Sequence, residues 1–360
     1  MTLDKSKPIL VTGCAGFIGA RTTEMLLDQG YTVVGIDNFN DYYDQRLKLY
    51  RLCRIHGQES RFAEKFPEIP STALNTAQWI ETLLPESTRR GSFTFHLTDI
   101  ENQPEVDGLI AQVKPSAIIN LAARAGVRAS LENPQLYVGT NVMGCLNLLE
   151  ACRRHGVKKF VLASTSSLYA DQPMPFHEDL PVNTPISPYA ATKKSAEMLC
   201  YTWHYLHDLN VTVLRYFTVY GPAGRPDMSI LRFIRWIDLG TPITIYGDGQ
   251  QSRDFTYIDD IASGTVSSLK LTGHQTINLG GGGEPVSLMQ VIATLEELLG
   301  KKALVHNEPF QKSDIPHTSA SNKRAAEFLR WRASWQIDKG LQNSVEWYLE
   351  NQQWCRYIIL

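Results

Sequence analysis

Tyr189 stands one helical turn ahead of Lys193 in the run Ser187-Pro188-Tyr189-Ala190-Ala191-Thr192-Lys193, so a phenol and an ammonium share one face near the start of a helix. Free tyrosine titrates near ~10 and is protonated at neutral pH, whereas a neighbouring cation favours the phenolate. Such a phenol can take a proton from a substrate hydroxyl while hydride leaves the same carbon. The pair gains meaning only if the rest of the chain places a hydride acceptor beside it.

The N-terminal elements are those that would do so. Pro8 to Thr12 is a short apolar run with Gly13-Cys14-Ala15-Gly16-Phe17-Ile18-Gly19 directly behind it, and a helical pattern then runs from Phe17 to Gln29. In this strand, glycine loop and helix, the glycines let the backbone approach a diphosphate whose charge is met by free amides at the helix start. The second strand, Tyr31 to Ile36, ends in Asp37. A carboxylate there accepts from both ribose hydroxyls and repels a 2'-phosphate, so NAD is expected rather than NADP.

Further strands follow at Ser92 to Leu97, trailed by Asp99 and Ile100 that are expected near the adenine, and at Ala117 to Ala123, which is wholly apolar as in a sheet covered on both faces. Lys159 to Ser164 runs into Thr165-Ser166-Ser167-Leu168-Tyr169. Ligands of doubly wound sheets gather beyond the carboxyl ends of the strands, so these hydroxyls are expected to face the nicotinamide with Tyr189. The pattern predicts an α/β fold: a doubly wound parallel Rossmann sheet over 1–215, and a smaller C-terminal α/β substrate-binding lobe mainly from 216–360, with segments returning to the first domain. Thr276 to Leu279 and a helix from Leu288 to Leu299 are expected to complete the small lobe.

Several classes are disfavoured. Among 360 residues, 35 basic and 37 acidic side chains nearly balance, which argues against a nucleic-acid or membrane-surface protein. The six cysteines show no CxxC and read as reduced thiols of a cytoplasmic protein. Met1 to Lys7 lacks the apolar stretch of a signal peptide, and no apolar run approaches the ~20 residues of a membrane span. His204 and His207 share a helix face without a third ligand, so no metal is expected.

Arg54 to Gly91, broken by Pro67, Pro70 and Pro85, reads as an insertion at the surface, a lid or a subunit contact being the alternative, with a short helix over Ala73 to Leu84. A helix over Gln135 to His155 carries the apolar stripe Val142, Cys145, Leu149 and Cys152, widened by Met143, Leu146 and Leu148. Core packing accounts for part of it; a helix-to-helix homodimer seam is the further expectation.

Taken together, the glycine loop, Asp37, Leu121-Ala122-Ala123, the hydroxyl cluster and Tyr189 with Lys193 resemble the extended short-chain dehydrogenase/reductase superfamily, specifically its nucleotide-sugar epimerases and dehydratases. The resemblance implies that Thr165 assists Tyr189 at a sugar hydroxyl, that Lys193 holds the ribose and tunes the phenol, and that Asn38 and Asn141 belong with Asp37 to the cofactor pocket. Related 4,6-dehydratases carry an Asp-Glu pair just after the Thr, and related uronate decarboxylases a Glu at the position of Ser167. This chain has Ser166-Ser167, which leaves oxidation and re-reduction of one carbon, all that a 4-epimerase requires.

Asn38-Phe39-Asn40-Asp41-Tyr42-Tyr43-Asp44, Ala125-Gly126-Val127-Arg128 and the run from Tyr216 to Met228 are similar to UDP-glucuronate 4-epimerases more closely than to neutral-sugar epimerases, which usually have Asn at the position of Thr218. On that resemblance Arg225, with Thr218, Ser166 and Ser167, is expected to grip a C5 carboxylate, since a guanidinium forms paired hydrogen bonds with one. Arg253 is expected on the nucleotide diphosphate, and Tyr246 near the uracil. Asn120, Arg124 and Ala170 depart from the family pattern; Arg124 and Arg128, expected near the sugar, leave room for an N-acetylated hexuronate. A UDP-sugar dehydratase or decarboxylase, a neutral-hexose epimerase and a non-catalytic NAD-binding protein remain the alternatives.

Overall fold

The computed structural model describes residues 3–72, 74–88 and 90–359. Met1 and Thr2, in the stretch expected to lack a leader, and Ala73, at the expected start of the short helix, lie outside the described residues.

Seven parallel strands form the central sheet: β1 (Ile9–Thr12), β2 (Val33–Asp37), β3 (Phe93–Leu97), β4 (Ala117–Asn120), β5 (Lys159–Thr165), β6 (Asn210–Tyr216) and β7 (His274–Leu279). Their spatial order is β7-β6-β5-β4-β1-β2-β3, so the winding reverses between β1 and β4. At such a reversal the connecting loops diverge and leave a crevice beyond the strand ends. β1, β4 and β5 are buried along their whole length, and successive residues serve opposite faces: Ile9 and Val11 join one apolar core, Leu10 the other.

Helix Pro188–His207 begins sharply because Ser187 accepts a hydrogen bond from the Ala190 amide at 3.2 Å and Pro188 occupies the first turn. Lys193, Ala196, Glu197 and Cys200 recur at helical spacing on its buried face. Glu197 fixes this helix to the sheet, accepting from Ser164 Oγ at 2.6 Å and from Nε and Nη2 of Arg215 at 2.9 and 2.8 Å. Tyr189 is thereby set against the end of β5.

Three expectations are corrected. The His274–Leu279 strand was expected in the small lobe at its Thr276 to Leu279 end; it pairs with β6 over its full length and closes one edge of the main sheet. The insertion is not a surface excursion: Phe62 and Phe66 are buried in an aromatic cluster with Tyr50 and Trp354, joining it to the C-terminal helices through contacts far apart in sequence. The expected Gln135 to His155 helix is interrupted, with Pro134–Tyr137 passing through a wide π-turn at Val138–Gly144 into Cys145–His155. Its stripe residues Cys145, Leu148, Leu149 and Cys152 are fully buried. Of the stripe Met143 is exposed, as are Leu136 and Val138 before it and, on the neighbouring helix, Met198, Tyr201, Tyr205 and Leu206.

The remaining chain builds the smaller lobe around short pairings, Ile243–Tyr246 with Val305–Glu308 and Thr218–Tyr220 with Phe255–Tyr257. Arg51, fully buried on helix Gln45–Ile55, joins the two parts: its guanidinium donates to the Ala223 carbonyl at 2.8 Å, the Gly224 carbonyl at 3.0 Å and the Tyr43 hydroxyl at 2.7 Å. No helix among the described residues is long and apolar enough to cross a membrane.

Candidate active site

A cleft of 390 Å³ runs from the glycine loop past the ends of β1, β4 and β5 to Asp314 and Thr318. Of the residues expected at the site, Asn141, Arg124, Arg128, Tyr169 and Tyr246 do not line this cleft, and the others do.

At one end the backbone is shaped for a dinucleotide. Gly13 has φ +67°, and a Cβ there would stand 2.8 Å from the Ala122 nitrogen; at Gly19 it would stand 1.9 Å from the Gly13 carbonyl oxygen. Only glycine permits both the turn and the close approach of helix to loop. Helix Phe17–Asp28 starts at Gly16 without a side-chain cap, leaving its first amides for an anion. Asp37 Oδ1 accepts from the Phe39 amide at 2.8 Å and from Lys48 Nζ at 3.0 Å, which leaves Oδ2 for ribose hydroxyls. Asn38 donates to Asp99 at 2.9 Å, closing the adenosine end. These residues fit NAD, and Lys48, which the sequence reading passed over, belongs to the same cradle.

Asn141 was expected in the pocket, but it stands behind the wall. Its side-chain amide bonds both backbone groups of Arg124, at 2.9 and 3.0 Å, and the Thr192 hydroxyl at 3.0 Å. The π-turn carries Asn141 to that position, and the effect is to hold the segment after β4 in place. Arg124 was expected near the sugar; it does not line the cleft, and its Nε is buried without a hydrogen-bond partner among the described residues. Tyr169, expected to face the nicotinamide, turns into the core, where its hydroxyl bonds Asn278 at 2.7 Å and Arg215 at 2.8 Å.

In the middle, Tyr189 and Thr165 line the cleft together. Burial raises the phenol above the ordinary tyrosine value, opposed by the Thr165 side chain and the Arg225 charge. The cation expected to tune it, Lys193, donates instead to the Ala163 carbonyl at 2.9 Å, and burial pushes its own pKa down to about 8. Thr165 Oγ1 also meets the Ser167 hydroxyl and amide, each at 3.1 Å, so the hydroxyl cluster is internally connected.

At the far end stand two arginines. Arg253 is held by the Ser252 and Pro316 carbonyls at 2.9 Å; burial lowers its pKa and the Asp314 charge counters that. A cation set among carbonyls and facing the cleft suits a diphosphate. Arg225 is paired with Asp227, with Nε donating at 3.0 Å. Arg128, expected on the substrate, lies outside the lining: its guanidinium is 3.9 Å above the Tyr246 ring and paired with Asp314. The sequence reading also missed Tyr42, Asp227 and Asp314. Asp227 had a visible signal, an acid two residues beyond Arg225.

The profile of the NAD dependent epimerase/dehydratase family matches residues 9–280. The UDP-glucuronate 4-epimerase of Thermodesulfobacterium geofontis is 51% identical over 342 residues, covering 95% of this chain and 96% of that one. A probable UDP-glucuronate 4-epimerase of Rhizobium meliloti is 36% identical, covering 95% and 97%. Among solved structures, UDP-glucuronic acid 4-epimerase from Bacillus cereus in complex with UDP-glucuronic acid and NAD superposes with a TM-score of 0.81 at 34% identity, covering 96% of this chain and 99% of that one. With a glycine cradle, an acid at the end of β2 and a phenol-hydroxyl pair at the end of β5 in one cleft, the chain belongs to the NAD dependent epimerase/dehydratase family.

Proposed function

We propose that this protein is an isomerase that interconverts UDP-glucuronate and UDP-galacturonate by inverting C4. The observation that carries the reading is the alignment, along one cleft, of the dinucleotide cradle, Tyr189 with Thr165, and Arg225. NAD, which the glycine loop, Asp37 and Asn38 would hold, would supply the hydride acceptor for C4 and, once reduced, the donor to its opposite face.

Tyr189 takes the proton from the C4 hydroxyl and later gives it back. Thr165, beside the phenol in the cleft lining, shares that proton path. Lys193, held on the Ala163 carbonyl, positions the ribose side of the cofactor pocket. The oxidised hexuronate is a β-keto acid, prone to lose carbon dioxide once its carboxylate charge can flow towards the ketone. Arg225 with Thr218, Ser166 and Ser167 keeps that charge localised. The acidic side chains lining the described cleft are Asp37, Asp99 and Asp314, the first two at the adenosine end and the third paired with Arg128. None stands beside Thr165 to drive elimination, which favours epimerisation over dehydration.

The exposed Met143, Met198, Tyr201 and Tyr205 support a homodimer through these helices. Incubation of the NAD-loaded protein with UDP-glucuronate, followed by NMR of the products, tests the reading. UDP-galacturonate is expected; a UDP-pentose, a dehydrated sugar or no conversion overturns it.

A further inference from the structure

Arg225, to which the reading above assigns the sugar carboxylate, already has a carboxylate. Its Nε donates to Asp227 Oδ1 at 3.0 Å, its Nη2 donates to Asp227 Oδ2, and Nη2 also reaches the Tyr42 hydroxyl at 3.4 Å. Tyr42 in turn lies 3.5 Å from Asp227 Oδ2, with the guanidinium 5.4 Å from its ring centre. Arg51 fixes the preceding backbone at Ala223 and Gly224, so the fork is aimed rather than free to swing. Desolvation works against charge on both partners, yet their attraction keeps Asp227 below and Arg225 above their ordinary values, and the pair is ionised at neutral pH.

A guanidinium offers a carboxylate two docking edges, Nε with Nη2 or Nη1 with Nη2. Both need Nη2, whose two hydrogens are directed at Asp227 and Tyr42. Among the described residues only Nη1 has no hydrogen-bond partner. A second carboxylate entering the cleft therefore meets one nitrogen, and the hydroxyls of Thr218, Ser166 and Ser167 serve its remaining lone pairs.

We propose that Asp227, assisted by Tyr42, is a positioning residue that makes Arg225 a pivot instead of a clamp. The proposal rests on the C4-epimerase reading. Inversion requires the 4-keto sugar to present its other face, which a two-point ion pair would resist by fixing the C5 carboxylate in one plane. One nitrogen and three rotatable hydroxyls hold the charge while allowing the ring to turn. Asp227 also cancels the standing charge of Arg225, so the substrate is not over-bound before it reacts.

The test uses the full-length NAD-loaded protein with Asp227→Asn. The amide retains the shape but releases part of the fork. The Kd for UDP-glucuronate, measured by titration calorimetry, is expected to fall roughly tenfold or more, the scale of one charged hydrogen bond. The kcat is expected to fall as well, while the Kd for UDP-glucose, which has no carboxylate, stays unchanged. Tyr42→Phe, which frees only one hydrogen of Nη2, should move both parameters in the same direction by less, and it carries the test alone if Asp227→Asn does not fold.

A folded variant with unchanged or weaker UDP-glucuronate binding overturns the pivot, as does equal tightening towards UDP-glucose; both would leave Asp227 a purely structural partner. The underlying reading fails separately, if the wild-type protein leaves UDP-glucuronate unconverted.

Discussion

Lys48 Nζ sits 3.0 Å from the Asp37 carboxylate, and both side chains are almost excluded from solvent. The carboxylate that selects against a 2'-phosphate is thus also the counter-ion of a cation that would welcome one. Asp37→Ser is expected to weaken NAD binding and to strengthen NADP binding, shifting the preference roughly a hundredfold, as one or two charged hydrogen bonds of ~1.5–3 kcal/mol would. Titration with both dinucleotides measures it. Asp37→Ser combined with Lys48→Met should lose the gain for NADP; if the gain persists, Lys48 is not its source.

Tyr189→Phe removes the proton acceptor without altering the cleft's shape. It should lower kcat by about 10²–10⁴-fold, the usual contribution of a general acid-base group, with the affinity for UDP unchanged. Thr165→Val removes a contact that holds the phenol's pKa down against burial. Since the base must be deprotonated to act, a higher phenol pKa moves the acid limb of the pH–rate profile to higher pH. A lower kcat with an unmoved profile would assign Thr165 to substrate contact alone.

What the sequence made legible was local. The glycine loop, the apolar strands and the Ser187-Pro188 start of the Tyr189 helix are each set by neighbours in the chain, and the cleft collects nearly all the residues those patterns marked. What it hid was long-range. Phe62 and Trp354 are packed together from opposite ends of the chain, so no window of sequence could show that the insertion is core. Asn141 was placed in the pocket by resemblance alone, whereas its bonds to Arg124 and Thr192, distant in sequence, make it a brace behind the wall. The stripe of Cys145 and Leu149 had the right spacing for an exposed seam but is covered by the sheet and neighbouring helices, a choice amphipathicity cannot make.

Met198, Tyr201 and Tyr205 follow one another at helical spacing on the exposed side of helix Pro188–His207, beside Met143 on the adjoining turn. A second copy of the chain would bury this surface. Light scattering after size exclusion is expected to give a dimer for the native protein and a monomer for Tyr201→Glu, since a charge cannot be desolvated at the seam without a partner. A native monomer at working concentration removes the dimer proposal.

Lys159, at the start of β5, is wholly buried with no carboxylate at its Nζ among the described residues; it donates to the Thr212 hydroxyl at 2.7 Å and to the Leu271 carbonyl at 3.0 Å. Desolvation pushes its pKa down to about 7 from the ordinary lysine value of 10.5. Between those values the unfolded chain binds the proton and the folded chain does not, so stability must rise with pH across that window. Below about 7 both states are protonated and the contribution becomes constant and unfavourable. The slope from this one group is at most ~1.4 kcal/mol per pH unit. Lys159→Met replaces the ammonium by an uncharged chain of similar length. Urea unfolding at several pH values above 7 should show that slope in the native protein and its loss in the variant. Parallel pH dependences would mean that Lys159 stays charged inside the fold, held by the two oxygens it contacts.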